Sequence, residues 1–236
     1  MVNVALAELV REGDADRFAA TMAAPVPARA PLFALAALNL ELARIGWISD
    51  NPLIVAMRLQ WWHDIVDGRA APSGDVALAL AGLLERGLDP DLLHPMIAAR
   101  GEQGDLMHFL RDTAGNLSAL AGQATGARDI KALQEIGLAT GIANWLLAGP
   151  ALLAKGKTWL PASVSVGELA GQGLALLDRR RGLPKSDFPA ALWSVHAGPV
   201  LRRAKTHEAD AMAGGLAPSE AARRLSLLWR AMRGRW

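Results

Sequence analysis

Cysteine is missing from this 236-residue chain, which excludes disulfides, thiolate metal sites and a cysteine nucleophile together. Tyrosine is missing as well, so the eight tryptophans dominate the aromatic side chains. No apolar run reaches the roughly 20 residues a membrane span needs. The most apolar stretch, Gly141 to Ala154, is shorter than that and contains Asn144 and Pro150, so no transmembrane helix is expected. The N-terminus acquires acidic residues within its first turns and has no basic lead, which argues against a secretory signal. A cytoplasmic chain is expected.

A large charge of one sign is also absent, since the formal net charge is +2. The arginines nevertheless gather late in the chain, at Arg179 to Arg181, Arg202, Arg203, Arg223, Arg224, Arg230, Arg233 and Arg235. Such a skew suits an acidic partner or peripheral contact with the inner face of an anionic membrane. The plainer reading, solvated faces of amphipathic helices, is preferred. No aromatics alternate with these arginines and no recognition module is present, so no nucleic-acid partner is expected.

What remains reads as helix from end to end, with no competing strand pattern. Asp14 caps a short helix through Ala24, stopped by the Pro25 and Pro27 segment, and Pro31 opens the next helix with Leu35, Leu38, Leu42 and Ile45 inward. Asn51 and Pro52 start a third helix, with Leu53, Met57, Trp61 and Ile65 or Val66 inward and Gly68 just past its end. Asp89 with Pro90 repeats that start signal. A long helix is expected from residue 104 toward Gly126, then another from about Arg128 to Lys155, kinked at Pro150. Ser165 and Glu168 have capping-box spacing, and two last helices span about Phe188 to Met212 and Pro218 to Arg233. Short loops and no low-complexity linker give one all-α domain over residues 1–236.

Chemistry-bearing residues are sparse. Asp64 and Asp67 share a helix face three residues apart, but two carboxylates in a last helical turn make a poor magnesium site, and a salt-bridged surface role is preferred. His63 has no second histidine at helical spacing, and His94, His108, His196 and His207 are scattered along the chain, so no metal site is expected. There is no nucleophile elbow, phosphate loop or dinucleotide fingerprint. Most tryptophans read as core fillers. Asn39 and Asn144 stand out as amides within strongly apolar helices, facing one another, a cavity, a ligand or nearby backbone.

Three segments carry a resemblance: ARAPLFALAALNLELARI (Ala28 to Ile45), RLQWWHDIVDG (Arg58 to Gly68) and IGLATGIANWLLAGPALLAKGKTWLP (Ile136 to Pro161). In order and spacing they resemble the squalene/phytoene synthase family across most of the chain. The resemblance implies an all-α, class I isoprenoid (terpenoid) synthase-like helical bundle. In active members two facing helices each carry an aspartate-rich motif that binds Mg²⁺ and, through it, the substrate diphosphate.

Laid on the first motif, Ala43, Arg44 and Trp47 fall where acids would stand. On the second, counting back from Pro161, Ala148 and Leu152 replace the two aspartates, while Asn144 and Gly156 still match. The resemblance therefore implies vestigial metal positions at Ala43, Trp47, Ala148 and Leu152, with no catalytic residue, metal or cofactor. A polar remnant of the cleft is expected at Asn39, Glu41, Arg58, Gln60 and Asn144, with Lys157 where active relatives often carry arginine. For Arg58 and Gln60, pinning helices together is the preferred role.

Within the family the wording NLELARI followed by RLQWW is most similar to a non-catalytic branch that serves in mitochondrial complex I assembly. That implies a complex I assembly intermediate as partner. Two alternatives stay open: an isoprenoid or lipid ligand held without reaction, and a prenyl-diphosphate-using transferase, which alone would require Mg²⁺.

Overall fold

The computed structural model describes residues 3–48, 51–101, 104–156, 158–161 and 163–234. Among them every regular element is helical, as the sequence pattern requires. Helices α1 (Val4–Gly13), α2 (Ala15–Ala23), α3 (Val26–Ile48), α4 (Pro52–Val66), α5 (Gly74–Leu84) and α6 (Pro90–Ala98) form the first half. Helices α7 (Leu106–Leu110) and α8 (Asn116–Thr125) are joined by a π-helical turn, Arg111–Gly115, and lead into α9 (Ile130–Ala154) and α10 (Val166–Leu177). Four more close the chain: α11 (Phe188–Ala191), α12 (Ala197–Thr206), α13 (Ala209–Ala213) and α14 (Glu220–Arg233).

Side-chain caps set many of the starts, because the first N–H groups of a helix have no partner inside it. Asp14 accepts from the Arg17 N–H at 2.9 Å, Asn51 from Leu53 at 3.0 Å and Asp89 from Asp91 at 2.9 Å. Ser165 and Glu168 form the reciprocal capping box read from their spacing. The start of α9 is pinned from a distance as well: buried Asp187 accepts from the Arg128 and Asp129 N–H groups at 2.7 and 2.8 Å.

Several expectations are corrected. Pro31 lies inside α3, which starts at Val26 with Pro27 in its first turn. On α4 the inward residues are Leu59, Trp62, Ile65 and Val66, while Leu53 and Met57 point to solvent. The apolar residues of that helix nearly encircle it, so spacing alone could not choose the face. Helix α5 was not foreseen, and the expected helix from Phe188 to Met212 is broken into α11, a 3₁₀ turn, α12 and α13.

Two helices, Val26–Gly46 within α3 and Ile130–Ala154, are long and apolar enough to cross a membrane by length and composition. A core helix satisfies the same length and composition as a spanning one. In the fold both serve as core helices, each about half buried. α3 supplies Leu32, Phe33, Leu35, Leu38 and Leu42 to an apolar cluster shared with α1, α5, α6 and α8. α9 supplies Leu138, Ile142 and Leu146 to a second cluster with α10 and α12. α8 packs against both helices and links the clusters.

Glycine sets how closely α9 approaches its neighbours. A Cβ on Gly137 would meet the Ala114 carbonyl oxygen at 2.6 Å, and one on Gly141 the Ala114 Cβ at 2.7 Å. The widened π-helical turn thus lies directly on the α9 backbone.

Candidate functional site

On α3, Asn39, Ala43 and Trp47 recur at i, i+4 and i+8; on α9, Asn144, Ala148 and Leu152 do the same. Each set therefore occupies one helix face. Lys157 lies outside the described residues, as does the side chain of Trp47.

The α3 face is closed by a residue the sequence reading passed over. Arg100, just beyond the end of α6, donates from Nη2 to Asn39 Oδ1 at 2.9 Å. Its guanidinium lies over the Phe109 ring, 5.6 Å from the centroid, and its Nε is shut off from solvent with no hydrogen-bond partner among the described residues. Burial, with a smaller contribution from the neighbouring Arg17 cation, lowers the Arg100 pKa to about 10. Arg100 therefore stays cationic at neutral pH. The one sequence signal was a single cation after the apolar stretch MIAA; its partner stands 61 positions away.

The α9 face is more open. Asn144 is exposed and lines a cavity of about 170 Å³ together with Arg17, Thr140, Leu147, His196 and Arg223. Arg17 is held by Asp14 at 2.5 Å and sits over the Trp193 ring at 5.1 Å. Burial lowers the His196 pKa from its ordinary value; Asp16 opposes that shift, and Arg223 and Arg230 add to it. Near the end of α9 the chain folds back on itself: the Trp145 and Trp159 indoles each donate to the other's carbonyl, at 2.7 and 3.1 Å. Gly149 permits this, since a Cβ there would lie 2.4 Å from the Trp159 ring.

The expected polar remnant is thus dispersed. Asn39 pairs with Arg100, not with Asn144. Glu41 points to a different recess, between Leu6, Leu9, Trp61 and Trp62, and faces Arg44 at 3.8 Å. Arg58 and Gln60 are exposed, and Gln60 donates to Asp64 on its own helix at 2.9 Å. Neither lines a cleft with the two asparagines, because the α4 face that turns inward is the Leu59 and Trp62 face.

Asp64 and Asp67 form an ion-pair cluster with Arg69, at 2.9 and 2.7 Å. Hydrogen bonds from Gln60 and Arg69 hold the Asp64 carboxyl below the usual range. The histidines are less scattered than the sequence suggested: His63 Nδ1 meets His94 Nδ1 at 2.7 Å, and His94 Nε2 meets Asp67 at 3.0 Å. A carboxylate only accepts, so His94 donates through Nε2–H to Asp67, and its Nδ1 accepts a hydrogen bond from the His63 Nδ1–H. Burial, then the neighbouring His94, lowers the His63 pKa, consistent with a neutral donor.

Magnesium bound to a diphosphate calls for several converging carboxylates or phosphates. Among the described residues no group of three His, Asp or Glu converges in that way. The α3 face carries instead a buried cation, whose charge repels a divalent ion most strongly where water is excluded. The donor set does not fit a magnesium–diphosphate centre.

Comparison with known proteins agrees with this architecture. Over 173 residues the chain is 28% identical to the protein named NADH dehydrogenase (ubiquinone) complex I, assembly factor 6, from Bos taurus, and 27% identical to its Homo sapiens counterpart. Each alignment covers 66% of this chain and 52% of the relative, so the match spans about half the length of those proteins. In fold the chain is similar to a dehydrosqualene synthase crystallised with a ligand, with a TM-score of 0.77, 11% identity, and coverage of 98% of this chain and 95% of that one. Residues 10–235 match the family described as Squalene/phytoene synthase, and the chain belongs to that family.

Proposed function

We propose that this chain is a non-catalytic member of the family that supports assembly of respiratory complex I, working from the cytoplasm on an intermediate at the inner face of the membrane. The observation that carries the reading is the Asn39–Arg100 pair: a buried guanidinium stands at the helix face where an enzyme of this fold would gather carboxylates. Similarity to the two proteins named as complex I assembly factors supports the direction of the assignment. Ala148 and Leu152, which offer no side-chain oxygen ligand on α9, support it further.

Retained binding of an isoprenoid without reaction has weaker support. The cavity beside Asn144, about 170 Å³, is smaller than the roughly 300–1,000 Å³ usual for small-molecule sites. The test is deletion of the gene in its native cell, with complex I content and NADH-linked respiration as readouts. Both are expected to fall and to recover when the gene is returned. Unchanged complex I content would overturn the proposal.

A further inference from the structure

Helix α14 has apolar residues on two sides. Leu227 turns inward and is buried. On the opposite side Leu225, Leu228, Trp229 and Met232 recur at i, i+3, i+4 and i+7, and they are between 51% and 79% exposed. Four large apolar side chains on one exposed stripe make a patch that water solvates poorly.

Arginines border the stripe. Arg224 lies four residues before Leu228 and pairs with Glu220, while Arg233 lies four after Trp229 and stacks over its ring at 3.9 Å. Ion pairing with α2, Arg223 to Asp16 at 2.7 Å, fixes the start of the helix. Toward its other end, Arg230 joins Arg180, Arg181, Arg202 and Lys205 around a recess of about 470 Å³ that also contains Asp178.

Burial and the nearby Arg230 and Arg202 lower the Arg180 pKa to about 10, so Arg180 remains charged at neutral pH. Like charges held this close create a strong positive field, which attracts a negatively charged surface. An exposed apolar stripe with cationic borders is the pattern of a helix lying in a membrane interface.

We propose that α14 docks in the plane of an anionic phospholipid bilayer, with Leu225, Leu228, Trp229 and Met232 among the acyl chains and Arg224 and Arg233 against the lipid phosphates. The Arg180, Arg202 and Arg230 cluster behind the helix adds attraction for the surface. This inference stands on α14 and its neighbours, separately from the assembly reading.

The experiment is flotation of the full chain with vesicles of phosphatidylcholine alone or of phosphatidylcholine mixed with phosphatidylglycerol. The wild-type chain is expected to float with the mixed vesicles and at least about tenfold less with the neutral ones, because each interfacial arginine is worth about fivefold. Leu225→Ser/Leu228→Ser/Met232→Ser is expected to lower partitioning more than about tenfold at unchanged thermal stability, since these side chains are exposed. Arg224→Gln/Arg233→Gln is expected to lower it by a similar factor.

Equal partitioning onto both vesicle types, or onto neither, would overturn the proposal. Partitioning lost in the arginine variant but intact in the serine variant would assign the arginines to a soluble anion or acidic protein and also overturn it. The vesicles contain no complex I subunit, so failure here and failure of the deletion experiment are distinguishable.

Discussion

Asn39 and Asn144 occupy matching places on α3 and α9, each followed by a small residue at i+4 and a large apolar one at i+8. Their surroundings differ. Asn39 is half-buried and tied to the Arg100 guanidinium, whereas Asn144 opens onto a small cavity and solvent. The two helices, which in active members of the family would share a metal site, thus differ at their matching positions. The α3 half is joined to the interior through Arg100, and the α9 half reaches the surface at Asn144, between buried Ala143 and Leu146.

That comparison is most sharply tested by Asn39→Leu. Removing the acceptor leaves Arg100 charged and buried without it, and we expect a loss of about 2–3 kcal/mol in chemical denaturation. A change below about 0.5 kcal/mol would show that Arg100 reaches water and that the α3 half is not sealed.

Next in size is Gly149→Ala. An added methyl must displace the Trp159 ring and strain its reciprocal hydrogen bonds with Trp145, so a loss of about 2 kcal/mol is expected, read from the same unfolding curves.

The pH dependence follows from His196 beside Asn144, and from His63 on α4. Both have pKa values below the ordinary 6.5, burial being the main cause. The unfolded chain then binds more protons than the folded one, so the histidine contribution to stability is full above about pH 6.5 and is lost as pH falls below it. Thermal midpoints should therefore drop between pH 7 and pH 5, and His196→Gln combined with His63→Gln should flatten that slope. A slope unchanged in the double variant would contradict the assignment.

The smallest effect is expected for Asn144→Ala, within about 0.5 kcal/mol, because the side chain is exposed. A loss near that of Asn39→Leu would erase the distinction between the two halves.

The helical architecture was legible in the sequence because its punctuation is local: Asp14, Asn51, Asp89 and Ser165 cap where their spacing says they should. The faces were less so. α4 is apolar nearly all round, and only the packing against α6 and α3 selects Leu59 and Trp62 over Leu53 and Met57. The missing carboxylates at Ala43, Ala148 and Leu152 could be read from the chain by resemblance. Arg100 could not, because its meaning depends on Asn39 and Phe109, which only the fold brings to it. The meeting of His63 with His94 is non-local in the same way, across 31 positions.

With Arg100 on Asn39 and no converging group of three His, Asp or Glu among the described residues, this fold is expected to perform no metal-dependent diphosphate chemistry. Pyrophosphate release from farnesyl or geranylgeranyl diphosphate in the presence of Mg²⁺ tests it most directly. No release above the protein-free blank is expected. Release that disappears on substituting Asn144 or Arg100 in a still-folded chain would contradict it.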